Sequence, residues 1–155
     1  MKKYLVFLGI IAIAFTSCKK IPDFDPVKQA ADDDAAIRNY LQLNNLTAVK
    51  DPSTALYYNI VSLGTDPHPV VNSTVIVTYV GKTLDGSIFD QSKTDVAFTL
   101  NRLIAGWQIG LPKIGTGGEI ILYVPSALGY GNSSAGPLAP NTVLIFDIKL
   151  SSFTN

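Results

Sequence analysis

The sequence predicts an α+β domain in which an antiparallel sheet of about five strands wraps on one short central helix. Three observations carry this reading. Segments rich in β-branched and aromatic residues, among them 74–80 and 143–150, alternate apolar side chains between two faces. Turn residues such as Asp85-Gly86 and the glycines at 115, 117 and 118 separate such segments. Between them lies one stretch of helical period, with Leu103, Ile104, Trp107 and Leu111 on a single face. A lone helix lying against a sheet is how a small β-rich domain closes its core. Apolar content of 47% and charged content of 15% supply enough material for that core.

Residues 1–17 read as a targeting signal outside the fold. Lys2 and Lys3 form a positive start, residues 4–15 are apolar, and Thr16-Ser17 precede Cys18. The apolar run is shorter than the ~20 residues a spanning helix needs. Phe15-Thr16-Ser17-Cys18 resembles a bacterial lipobox, with phenylalanine in place of the usual leucine, as in the looser lipoboxes of the Bacteroidetes. That resemblance makes Cys18 a lipidation site and the chain a lipid-anchored protein of the cell envelope, periplasmic or outer membrane. The alternative is an ordinary secretory signal with a coincidental cysteine. Cys18 is the only cysteine, so an exported domain relies on its core and not on disulfides.

Residues 18–54 form the anchor, a tether and a short helix. Pro22 and Pro26 argue against a helix over 19–32. Asp32-Asp33-Asp34 suit the cap and first turn of a helix to about Asn44, since acidic groups are favourable there. Ile37, Tyr40, Leu41 and Leu43 give that helix an apolar side to lean on the domain, and 45–54 is a connector.

Residues 55–155 carry the sheet. A first strand covers 56–61 and is broken over 64–69. The strand at 74–80 puts Val75, Val77 and Tyr79 on one face, with Ile76 and Val80 on the other. After the turn, 87–90 runs back. Phe98 and Leu100 lie on one side of an extended segment, and Asn101 offers a side-chain cap for the central helix. Gly110 and Pro112 end that helix. A strand at 119–124 stops at Pro125, and a loop rich in Gly, Ser, Asn and Pro runs to Asn141. The last strand places Leu144, Phe146, Ile148 and Leu150 on one face. Trp107 in mid-helix suits either a core plug or a pocket floor, because cores and pockets share composition.

The composition also excludes function classes. Twelve basic and twelve acidic residues cancel, so nothing favours a nucleic-acid partner. One histidine and one cysteine cannot assemble the usual zinc site. No phosphate-binding glycine loop with its lysine is present. Chemistry here must proceed largely without metal, nucleotide cofactor or strong nucleophile.

Several short pieces then stand in a fixed order: Tyr79-Val-Gly, Gly86-Ser-Ile-Phe89-Asp90, Phe98, Leu103-Ile104-Ala-Gly106-Trp107, Val124-Pro125, Gly129-Tyr130-Gly131, Pro140-Asn141 and Leu144-Ile-Phe146-Asp147. Together, over roughly residues 55–153, they resemble the FKBP family of peptidyl-prolyl cis–trans isomerases. The resemblance implies a half-wrapped antiparallel sheet around one helix, isomerase activity on X–Pro bonds and no cofactor. By the same resemblance Trp107 is a pocket floor beneath the proline ring. Tyr79, Phe89, Phe98, Ile104 and Phe146 are its walls, and Leu103 lies at its rim. Asp90 is the carboxylate near the pocket, while the Tyr130 hydroxyl and the Ile104 amide are donors to substrate. Partners on this reading are proline-containing polypeptides and macrolides of the FK/rapamycin class. Without the resemblance, Tyr79, Phe98 and Phe146 read as sheet core, and Asp90 as a turn residue serving backbone amides. The chain departs from the family at Val96, where a second aromatic is usual, and at Ala139 in the late loop. Leu138 remains to supply an apolar rim. Two further readings stay open: a non-catalytic module that clamps proline segments on the same fold, and a carrier of an unrelated apolar ligand.

Overall fold

The alternating segments of the second half form the middle of a six-stranded antiparallel sheet, and the computed structural model describes residues 24–155. Its strands are β1 (Val49–Lys50), β2 (Tyr57–Ser62), β3 (Thr74–Thr83), β4 (Ile88–Thr99), β5 (Glu119–Val124) and β6 (Leu144–Thr154). They lie in the order β1-β2-β5-β6-β3-β4. Two helices accompany them, α1 (Pro26–Leu43) and α2 (Ala105–Gly110). Cys18 and the signal lie outside the described residues.

Register explains why β5 and β6 are so apolar. Leu122 pairs with Phe146, Val124 with Leu144 and Ile120 with Ile148, so all six side chains share one face. That face meets α2, Leu100, Leu111 and Val77 in the main core. The intervening pair, Tyr123 and Ile145, points the other way. There Ile37 and Leu41 of α1 cover it, with Tyr57 and Val143 alongside. A sheet covered on both faces reads as continuous hydrophobic sequence, as Ile120 to Val124 does. Burying Ile37 and Leu41 contributes on the order of 3–6 kcal/mol as an upper bound. The N-terminal helix therefore belongs physically to the fold.

Helix α2 packs against β5 through two glycines one turn apart. A Cβ on Gly106 would stand 2.7 Å from a Val124 methyl, and one on Gly110 would stand 2.6 Å from a Leu122 methyl. Seating the helix on glycine leaves the neighbouring Trp107 to project over the same face.

Several expectations are refined or corrected. Helix α1 begins at Pro26, because Asp25 caps it by accepting from the Val27 and Lys28 amides, and proline at the first helical position loses no hydrogen bond. The acidic triplet sits mid-helix, where Asp32 pairs with Lys28 and Asp34 with Arg38 and Lys50. Asn101 caps nothing: it lies in a 3-10 turn over Leu100–Arg102 and donates to Asn72, while Ile104 occupies the cap position of α2. To the roughly five strands expected, β1 adds a two-residue edge paired with β2, which makes six among the described residues. Finally, β4 runs continuously through Gln91 to Ala97, an edge strand whose charged side chains hide its strand character and blunt its open edge.

Candidate active site

The cup opens where β3, β4 and β6 pass the start of α2. Tyr79, Gly81, Phe146 and Ile148 share the core-facing side of β3 and β6 through the pairs Tyr79↔Ile148 and Gly81↔Phe146. Phe98 arrives at the end of β4, and Leu103 and Ile104 lead into α2. These elements enclose about 280 Å³ lined by Tyr79, Asp90, Phe98, Arg102, Leu103, Ile104, Trp107, Tyr130 and Phe146. That volume lies near the lower bound of ~300 Å³ for small-ligand sites, the scale of one ring with its flanking amides.

Trp107 is 4% exposed and forms the base. Three rings meet it edge-on: Tyr79 at 5.3 Å, Phe146 at 5.3 Å and Phe98 at 6.1 Å between centroids. Such T-shaped pairs are worth about 0.5–1.5 kcal/mol each beyond their burial. They lock the indole plane in one orientation. The indole N–H is buried and has no acceptor among the described residues, so only apolar interactions hold the ring.

Polar groups in the cup are few. The Tyr79 hydroxyl donates to a carboxylate oxygen of Asp90 at 2.7 Å, along a diagonal between β3 and β4. Burial first, and then that hydrogen bond, push the Tyr79 phenol up to about 12. Tyr79 thus stays a neutral donor throughout the neutral range. Tyr130 is 45% exposed on the loop after β5 and borders the cup. Its turn is closed by the amides of Gly129 and Gly131, which both donate to the Ser126 carbonyl at 2.9 and 2.8 Å. Among the described residues no backbone or side-chain acceptor meets the Ile104 amide, which leaves it available at the start of α2.

Eight of the sequence-derived candidates therefore converge: Tyr79, Asp90, Phe98, Leu103, Ile104, Trp107, Tyr130 and Phe146. Phe89 and Leu138 do not line the cup. Phe89 stands behind it, edge-on to Phe146 at 5.6 Å, in space that Gly81 leaves open, since a Cβ there would lie 2.8 Å from the Phe89 ring. Leu138 is not a rim residue. It is 6% exposed because paired bonds between Ala135 and Leu138 turn it inward onto the main core. Phe89 and Leu138 together border a separate hollow beside the cup. Sequence reasoning missed Arg102. Its position next to Leu103, two residues before the α2 cap, was the available signal, but an exposed arginine in a turn is ordinary surface.

The family model for the FKBP-type peptidyl-prolyl cis-trans isomerase matches residues 66–151, which contain the whole cup. The chain belongs to this family. The chain is 38% identical over 127 residues to the FKBP-type peptidyl-prolyl cis-trans isomerase FkpA of Escherichia coli K12, covering 79% of this chain and 47% of that protein. The crystal structure of the Escherichia coli protein superposes with a TM-score of 0.71 at 35% identity, covering 83% of this chain and 62% of that one. A peptidyl-prolyl cis-trans isomerase structure from Pseudomonas syringae pv. tomato gives a TM-score of 0.70 at 30% identity, covering 85% of this chain and 98% of the other. The outer membrane protein MIP of Legionella longbeachae is 36% identical over 103 residues, 64% of this chain and 44% of that protein. The chain spans about half the length of these curated relatives. The FKBP fold accounts for the sheet wrapped on α2.

Proposed function

We propose that this FKBP domain is a peptidyl-prolyl cis–trans isomerase acting on proline-containing segments of exported proteins in the bacterial cell envelope. The observation that carries the reading is the indole of Trp107, fixed by three edge-on rings at the base of a cup that holds so few polar groups. Rotation about a prolyl amide crosses a barrier of about 18–20 kcal/mol because twisting removes resonance. Left alone, X–Pro bonds exchange over roughly tens to hundreds of seconds. The planar amide is the more charge-separated form, so an apolar aromatic cup disfavours it relative to the twisted state. The pyrrolidine ring sits on Trp107 while the chain on either side crosses the lips. The Tyr130 hydroxyl and the Ile104 amide donate to flanking carbonyls and hold the turn that rotation requires. Asp90, engaged by Tyr79, fixes that wall and is neither acid nor base in the reaction. Each ~1.4 kcal/mol of preference for the twisted state gives a factor of ten. Several modest contacts therefore reach a thousandfold without proton transfer.

The location rests on Cys18 as the acylated residue of a lipobox-like signal, and the relative named as an outer membrane protein supports an envelope setting. Macrolides of the FK/rapamycin class are inhibitor candidates for the same cup. Val96 in place of a second aromatic near Phe98 predicts weaker affinity for them.

The test is exchange of a Phe–Pro peptide followed with the full chain. Acceleration by orders of magnitude supports the reading, whereas peptide binding without acceleration makes the domain a clamp. For the anchor, Cys18→Ser releases the protein from the membrane fraction; retention there contradicts lipidation.

A further inference from the structure

The catalytic loop is held from the far side of the sheet. Tyr130 is 45% exposed and lies in a loop with left-handed turns at Gly131, Gly136 and Asn141, so packing alone does not fix its aim. Ser126 ties down the turn around it, since its carbonyl accepts the amides of both glycines that flank Tyr130. Ser126 in turn is gripped by Asp33 of α1, 93 positions away in sequence. One Asp33 oxygen accepts from the Ser126 amide and from the Ser126 hydroxyl, each at 2.7 Å, and the other accepts from Gln29 at 2.7 Å. Asp33 is 3% exposed and Ser126 is 2% exposed. A carboxylate is expensive to bury unless its lone pairs are satisfied, and here they are spent on the residue that closes the Tyr130 turn.

We propose that Asp33 is a positioning residue for Tyr130, which makes α1 part of the catalytic apparatus and not only a cover for the sheet. The proposal rests on the isomerase reading of the cup. Losing Asp33 leaves two buried donors on Ser126 without an acceptor, and the peptide plane that holds Gly129 and Gly131 shifts with them.

The experiment is a double-mutant cycle in the full chain, with Asp33→Ala and Tyr130→Phe alone and together. Asp33→Ala is expected to lower kcat/KM about threefold to tenfold, the size of one misplaced hydrogen bond to substrate. In the Tyr130→Phe background its effect shrinks below about twofold, because coupled residues are non-additive. Asp33→Asn keeps an oxygen that accepts both Ser126 donors and restores most of the rate. Amide exchange at Gly131, measured against global unfolding, speeds up in Asp33→Ala and recovers in Asp33→Asn. Equal factors in both backgrounds, or unchanged Gly131 exchange, overturn the proposal. If Asp33→Ala does not fold, the same cycle with Ser126→Ala decides, since it removes only the hydroxyl bond. A parent chain with no isomerase activity sinks the functional reading instead, and the Gly131 exchange comparison still tests the coupling by itself.

Discussion

Replacing Trp107 separates the packing of the cup from its chemistry. Truncating a buried aromatic to alanine ordinarily destabilises by about 3–5 kcal/mol. Here the side chain is 4% exposed and touches three rings, which places it toward the upper end. One feature opposes this. The indole N–H is buried without an acceptor among the described residues, and an unsatisfied donor is itself unfavourable by about 1–3 kcal/mol. Removing it returns part of the loss, so Trp107→Ala is expected to destabilise by roughly 2–4 kcal/mol. Trp107→Phe keeps a ring between Tyr79 and Phe146 and discards the orphan donor, so its stability should fall within about 1 kcal/mol of the parent. Urea unfolding followed by far-ultraviolet circular dichroism measures both, since the substitutions remove the chain's only tryptophan fluorophore. On peptide exchange, Trp107→Ala should lower kcat/KM by about ten- to a hundredfold through the loss of the base beneath the prolyl ring. If Trp107→Phe unfolds as readily as Trp107→Ala, the orphan-donor argument is wrong. If Trp107→Ala isomerises as fast as the parent, the cup is not the site.

Three more outcomes follow from charges and hydroxyls. The Tyr79 phenol should titrate near 12 in ultraviolet difference spectra, and Asp90→Asn should bring it only part of the way back toward 10, because burial is the larger cause. A full return to 10 would assign the shift to Asp90. Lys113 beside Asp51 holds that carboxyl at about 2 against an ordinary 3.8. A folded value below the unfolded one contributes stability that is complete above about pH 4 and is lost as pH falls through about 2. Thermal melts of Asp51→Asn should therefore lack that acid-limb decline, and an unchanged acid limb contradicts the pairing. Arg102 has no ion-pair partner among the described residues and stands at the cup's lip. Peptides with glutamate beside the proline should be preferred over those with lysine by about two- to fivefold at low salt, the scale of an exposed ion pair. Arg102→Glu should reverse that order and added salt should flatten it; a preference indifferent to both would remove Arg102 from substrate selection.

Much of the architecture was readable because strand period and helix period are local properties. The β6 face of Leu144, Phe146, Ile148 and Leu150 lies where periodicity puts it, whereas the helix around Trp107 is shorter than its apolar spacing suggests: Leu103 and Ile104 precede α2 and Leu111 follows it in a 3-10 turn. What escaped depends on partners remote in sequence. Pro26 looked like a helix breaker, yet at a first helical position after Asp25 it is harmless. The two residues of β1 acquire strand character only by pairing with Tyr57 and Tyr58. Leu138 has the same composition whether at a rim or in a core, and only the Ala135–Leu138 bonds decide. The burial of Ile145 and Tyr123 depends on α1, which lies far from them in sequence. Asp33 read as one of three capping acids, whereas its role depends on a serine far along the chain. The aromatic cluster itself was legible only as an ordered set of short motifs, since each ring alone is ordinary sheet core.

If the environment of the cup alone carries the amide through its twist, no proton is transferred on the way. Rates of Phe–Pro exchange by the full chain in H₂O and D₂O, across neutral and mildly alkaline pH, address it directly. Strong acceleration is expected, with a solvent isotope effect near unity and a flat pH profile while Tyr79 remains protonated. A rate that drops about twofold or more in D₂O, or that follows the ionisation of a single group, would mean a proton moves in the rate-limiting step.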